Sequence, residues 1–258
     1  MNYSFGFIGG GRITKIILEG LKRKSSLPKS IIVSDTNNDV LEKLKQLFPN
    51  ITICNDNREP AKQDFVFIAL HPPVCKDVLG EIKNIIKENS IIFSFAPKLT
   101  IEKIKLLTEG KKKIVRIIPN APSYVNSGYN PVCFSDNISE DEKLVIKNLF
   151  KLLGEFPEVD EKKLEAYAII TGMGPTYFWP QFYKLIELSK FFGLNEKEIS
   201  ESLTKMIEGS LNTIFNSNLN HEELMDLIPV KPLGDEEKNI LNIYEIKLKP
   251  LFDKLKTF

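Results

Sequence analysis

Between residues 3 and 118, six short apolar runs (3–8, 31–33, 51–53, 64–70, 90–95 and 113–118) alternate with stretches of helical spacing. Few folds accommodate that rhythm. Strands separated by helices of about 10–15 residues need crossover connections, and right-handed crossovers build a mostly parallel sheet covered by helices on both faces. The intervening stretches fit. Ile13, Ile16, Ile17 and Leu21 share one helical face with Gly20, and further helices are predicted over 40–48, 74–87 and 100–108. Edge strands are expected at 131–135 and 156–159, flanking a helix over 140–153.

After about residue 160 only helical patterns remain. One helix is predicted over 161–170, and Pro175 suits the first turn of another. From Tyr177 to Phe192 the apolar residues, Trp179 and Phe182 among them, cover most of the circumference. A helix apolar on nearly all sides is a buried one and needs partners. Two more stripes follow, Ile199 to Ile214 and Ile240 to Leu255, the latter interrupted by Pro250. The chain is therefore read as α/β: an N-terminal doubly wound Rossmann domain over 1–158 and an all-α domain over 159–258. About 100 residues do not easily enclose so apolar a helix, which predicts a homodimer through the helical domain.

The first strand ends in Gly9-Gly10-Gly11-Arg12-Ile13-Thr14, and the first helix follows. This matches G-x-G-x-x-G/A at two of three positions, with Thr14 at the third. Gly9 permits the tight turn, Gly11 lets backbone approach a pyrophosphate, and the helix aims its N–H groups and positive dipole end at the phosphates. Asp35, at the end of the second strand, stands where an acidic side chain accepts the ribose hydroxyls of NAD; it also reads as a turn-initiating Asp in Ser34-Asp35-Thr36-Asn37. The cofactor is NAD or NADP, and Asp35 favours NAD.

The composition removes other classes. Thirty-five basic against 34 acidic residues give a net charge of +1, so no broad basic field draws in nucleic acid or an anionic membrane, and neither is expected as a partner. Three cysteines without a C-x-x-C pair, and two histidines, argue against a zinc site. No apolar stretch reaches the ~18 residues of a membrane span. The odd thiol count and the absence of a basic segment in residues 1–4 point to the cytoplasm.

Four segments in order resemble the pyrroline-5-carboxylate reductase family over roughly the first 190 residues. FGFIGGGRI (5–13) is similar to F-I-G-G/A-G-N-M, and ALHPP (69–73) to A-V-K-P-Q with His71 in the lysine position. RIIPNAPSYVNSG (116–128) resembles R-x-M-P-N-T-P-x-x-V-x-x-G, and ITGMGPTYF (170–178) resembles L-S-G-S-G-P-A-Y. The resemblance implies an oxidoreductase acting on CH–NH bonds in proline biosynthesis, passing hydride from a nicotinamide to a small cyclic imine or related C=N or C=O group. It places the dinucleotide against Gly9, Gly10, Gly11, Arg12 and Ile13, against Ser34, Asp35 and Thr36, and against Ala69, Leu70, His71 and Pro72. It also places Asn120 beside the nicotinamide or substrate, with Gly172, Met173, Gly174 and Pro175 capping a helix whose N–H groups accept a substrate carboxylate.

Plainer readings stand beside these. Pro119 to Pro122 reads as a rigid turn, residues 172–175 as a domain junction, and His71 as a satisfied turn residue. The chain also departs from the family. Residues 227–234 (LIPVKPLG) lack the S-P-G-G-T-T loop that grips the substrate, and Ser94-Phe95-Ala96-Pro97-Lys98 stands where S-x-A-A-G is usual. Pro180 falls inside a predicted helix. These departures leave two alternatives: a non-catalytic NAD(P)-binding paralogue with a sensing role, and deazaflavin-linked NADP reduction on the same fold.

Overall fold

The computed structural model describes residues 3–110 and 112–256; Met1 and Asn2, two of the opening residues read for localisation, lie outside them. The chain forms two compact units, one reaching Gly174 and including the stretch from Leu251, the other Pro175–Pro250. The strands do end near the expected 158/159 boundary, but the units divide at Gly174/Pro175. Residues 161–173 belong with the sheet for two physical reasons. Glu161 and Glu165 pair with Arg116, and Leu164 and Ala168 bury against Ile118.

The first unit runs β1 (Phe5–Ile8), α1 (Arg12–Arg23), β2 (Ile31–Ser34), α2 (Asn38–Leu47), β3 (Thr52–Cys54), α3 (Arg58–Ala61), β4 (Phe65–Ile68) and α4 (Pro72–Ile82). It continues with β5 (Ile91–Ser94), α5 (Ile101–Leu107), β6 (Lys113–Ile117), β7 (Gly128–Tyr129), β8 (Val132–Phe134), α6 (Glu140–Phe150), β9 (Gly154–Glu155) and α7 (Leu164–Tyr167). The main sheet has the order β3-β2-β1-β4-β5-β6-β8, parallel throughout except for β8 against β6. That order is the doubly wound Rossmann arrangement with one antiparallel edge strand.

Both faces are covered, which explains the unbroken apolar runs. In β4, Phe65 and Phe67 join the aromatic side of the core, while Val66 and Ile68 pack on the other face with Leu79 of α4 and Ile104 of α5. Phe67 stacks on Phe7 at 4.3 Å and on Phe93 at 4.7 Å, so one phenylalanine layer crosses three neighbouring strands.

The expected strand at 156–159 is reduced to a single bridge from Glu158 to Val132 of β8, and two residues ahead of it β9 pairs with β7. Gly154 has φ +130, and a Cβ there would meet Gly128 O at 2.1 Å, so the pairing depends on glycine. Asn126, itself left-handed at φ 62, donates to the carbonyls of Gly20 (2.8 Å) and Leu152 (2.7 Å). It thereby ties α1 to the segment after β6.

The second unit holds α8 (Pro175–Phe191), α9 (Glu196–Asn216), α10 (His221–Asp226) and the greater part of α11 (Glu237–Lys256). Asn195 and Asn220 close capping boxes with Glu198 and Glu223 at the starts of α9 and α10. α8 runs on from the helical turn before Pro175, and Pro180 stands inside it. Within a single chain none of the residues of α8 is buried, with Phe178 and Trp179 each 45% exposed and Phe191 84%. The physical reason is that α8, α9 and α11 enclose no core of their own. Ile199 is the one buried residue among the described residues of this unit. No helix of the described residues is long and apolar enough to cross a membrane.

Candidate functional site

Because β1, β2, β4, β5 and β6 are mutually parallel, the loops that leave their carboxyl ends share one edge of the sheet. The candidates Gly9 to Ile13, Ser34 to Thr36, Ala69 to Pro72 and Asn120 all lie along that edge. This is where open α/β sheets bind ligands.

The glycine turn is locked to its neighbours. Gly9 has φ +104, its N–H donates to Ser34 O at 2.8 Å, and a Cβ would meet Ala69 O at 2.4 Å. Gly9 is therefore demanded by the fold itself. Gly11 is different: it is the N-cap of α1 at φ −73, no side chain caps the helix, and a Cβ there would have nothing within 4 Å. The cradle over Gly11 is open, and the first-turn amides of α1 face it with no acidic residue in that turn. A diphosphate supplies what such a helix start lacks, so the residues fit a dinucleotide. Thr14 at the third fingerprint position is fully buried, and its hydroxyl donates to Gly9 O at 2.5 Å. It clamps the helix to the turn where a small residue would only allow close packing.

Asp35 does two things. Its Oδ2 accepts from Gly10 N at 2.8 Å and its Oδ1 from Asn37 N at 2.9 Å, so it is both a brace for the glycine turn and a turn-forming residue. A carboxylate offers about four acceptor sites, which leaves two for ribose hydroxyls. Ser34 is buried and its hydroxyl donates to Asn57 Oδ1 at 2.8 Å, so it supports the strand end from inside, whereas Thr36 is exposed. Arg12 is exposed at the helix start. His71 is the exposed N-cap of α4, with Pro72 and Pro73 opening the helix; its carbonyl accepts from Val74 N at 3.2 Å.

Asn120 is 7% exposed, at the head of a 3-10 turn (Ala121–Val125). Its Oδ1 accepts from Tyr129 N at 3.1 Å and lies 3.4 Å from the Ser123 hydroxyl, which fixes the amide plane and makes Nδ2 the donor offered to a ligand. The turn is rigid because Asn130 Oδ1 in turn receives Asn120 N (3.2 Å) and Ser123 Oγ (2.8 Å).

One expectation is corrected here. Gly172, Met173, Gly174 and Pro175 do not cap a newly started helix. Residues Ala168–Met173 form a π-helical turn and Gly174 is itself right-handed helical (φ −46, ψ −43). The backbone amides at this point are therefore enclosed in helical turns, and an N-terminal set of N–H groups is not displayed. Burial pushes the Cys75 and Cys133 thiols up to about 11, which leaves them protonated and poor nucleophiles at neutral pH.

Sequence reasoning missed Arg116. It is 1% exposed on β6, with Nη1 2.8 Å from Glu161 Oε1 and Nη2 2.8 Å from Glu165 Oε1. The available signal was a lone charge inside the apolar strand KIVRII, whose partners 45 and 49 residues onward no local pattern reveals.

The family model described as NADP oxidoreductase coenzyme F420-dependent matches residues 4–97, the part of the chain that carries the glycine turn. Over 228 residues the chain is 28% identical to the pyrroline-5-carboxylate reductase of Staphylococcus haemolyticus, covering 87% of this chain and 84% of that protein. With the Staphylococcus aureus enzyme of the same name it shares 26% identity over 249 residues, 96% of this chain and 92% of the relative. Among solved structures, the Plasmodium falciparum pyrroline carboxylate reductase with NADP bound superposes with a TM-score of 0.78 at 23% identity, covering 99% of this chain and 97% of that one. The Coxiella burnetii pyrroline-5-carboxylate reductase superposes at 0.69 with 25% identity, covering 99% and 95%. The likeness to the reductases runs through both compact units, well beyond the nucleotide-binding half.

Proposed function

We propose that the protein is an NAD(P)H-dependent reductase of a cyclic imine carboxylate of the pyrroline-5-carboxylate class. The open cradle over Gly11, at the uncapped start of α1, carries this reading. The names of the relatives support the substrate class. When bound, the reduced nicotinamide supplies a hydride to the C=N carbon, and a proton from water completes the amine. The chain's own part is positioning. The first-turn amides of α1 hold the diphosphate, Asp35 accepts from ribose hydroxyls, and Asn120 Nδ2 donates to the carboxamide or substrate. His71 and Arg12, exposed along the same edge, are placed for phosphate contacts. The test is NAD(P)H consumption against a panel of cyclic imines and 2-keto acids. Turnover of pyrroline-5-carboxylate at about 1 per second or faster supports the reading. Tight nucleotide binding with a flat panel favours a binding-only role.

For the cofactor, NAD is the proposed preference. The Asp35 carboxylate beside the glycine turn repels a 2′-phosphate, and like charges a few ångströms apart are unfavourable even near water. NADH is expected to bind about tenfold more tightly than NADPH; calorimetric dissociation constants in the reverse order would contradict the assignment.

The proposed assembly is a homodimer through the helical unit. Phe178, Trp179, Phe191 and Phe192 are each 45% exposed or more, and Tyr177, Leu185, Leu188 and Ile240 line an apolar groove of about 840 Å³ in the same unit. A surface this apolar is characteristic of an interface. Light scattering at micromolar concentration is expected to give twice the chain mass, and a monomer would refute the assignment.

A further inference from the structure

We propose that Arg116 is a positioning residue: through Glu161 and Glu165 it fixes the loop after β5, and with it the nicotinamide half of the dinucleotide. The inference rests on the nucleotide reading above and names a residue which that reading does not use.

The geometry is a two-legged brace. Arg116 is buried on β6, opposite Ser94 of β5 in the sheet register. Its guanidinium reaches Glu161 Oε1 and Glu165 Oε1, each at 2.8 Å. The same oxygens also accept from the two ends of the β5–α5 connection: Glu161 Oε1 from Ile101 N, the first residue of α5, at 2.7 Å, and Glu165 Oε1 from Lys98 N in the loop at 3.2 Å. One carboxylate thus links the guanidinium to a backbone amide of that loop, and the other to the first amide of α5 where the loop ends. Lys98 sits in the left-handed region at φ 72, a conformation that costs a non-glycine residue free energy and persists only where its surroundings hold it.

Stability alone does not account for such a device, because a buried ion pair adds little net stability over apolar packing of similar volume. What it adds is fixed geometry, since a planar guanidinium presents its donors in a rigid fork. The loop it fixes leaves the carboxyl end of β5, within the β4–β6 half of the sheet. In this fold the two halves each take one mononucleotide, and the acidic residue that reads the adenine ribose marks the other half. Gly9, Gly11 and Asp35 all belong to that adenine-side half, and no bond of the Arg116 cluster touches them.

The experiment compares two ligands on the full-length chain. ADP reaches only the adenine side and the diphosphate cradle, whereas NADH occupies both halves. In Arg116→Lys a single ammonium cannot span both carboxylates. Its NADH dissociation constant is expected to rise about tenfold, the loss of one good hydrogen bond, with that for ADP staying within about twofold of the parent. Glu161→Ala, at a side chain 29% exposed, is expected to give the same selective loss and decides the matter alone if the arginine variant fails to fold. Parallel weakening of both ligands, or unchanged NADH binding in a folded variant, overturns the inference. A parent protein that binds neither ligand overturns the nucleotide reading itself, and this inference with it.

Discussion

Gly11→Asp is expected to leave the protein as stable as the parent while weakening NADH and NADPH binding about 100-fold or more. The fold does not need glycine there: φ is −73, and a Cβ meets nothing within 4 Å. Aspartate is among the best N-cap residues and sits well at the positive end of a helix, so α1 gains up to about 1 kcal/mol from the change. The same carboxylate fills the cradle and repels a diphosphate, and no compensating contact offsets that repulsion. Gly9→Ala is the contrasting case. Its φ of +104 and the 2.4 Å approach to Ala69 O mean that the variant loses stability, about 2 kcal/mol or more, whatever it does to binding. Thermal melts alongside calorimetric titrations check both variants. A Gly11→Asp protein that melts normally and still binds nucleotide would place the site elsewhere.

The second large effect belongs to Arg116→Met. Removing the guanidinium leaves Glu161 and Glu165 facing an apolar side chain, and stripping one partner from a buried ion pair costs about 3–5 kcal/mol. The loss is expected as an early unfolding transition of the sheet unit in urea. An unchanged midpoint would show that the carboxylates find water or other donors. Arg116→Lys keeps a positive charge and is expected to lose less, which is why it serves as the binding probe.

The sheet was legible because each strand is both short and apolar throughout. The run DFVFIAL reads as a doubly covered strand, and Phe65 to Ile68 is one, with alternate residues feeding the two faces of the core. The glycine turn was legible for the same reason: its spacing is a requirement of covalent geometry. Pairings that depend on distant partners were not legible. Two-residue strands such as β7 and β9 carry no periodicity, and nothing local in Gly128 or Gly154 announces that their backbones meet. The unit boundary moved from 158/159 to Gly174/Pro175 because Glu161 and Glu165 look like surface acids until Arg116 is placed opposite them. Residues 172–175 misled in another way. Glycines before a proline suggest a break followed by a fresh helix start, whereas the chain stays helical through a π turn. Lys98 shows the reverse. Nothing local announces that this lysine takes the left-handed region at φ 72.

Titration of the unmodified protein with NADH, followed by calorimetry, tests the central claim most directly. Saturable binding with one nucleotide per chain, lost in Gly11→Asp and kept in a variant of an exposed surface lysine, is the expected result. Heats no larger than dilution for both NADH and NADPH, from protein with an intact thermal transition, would contradict it.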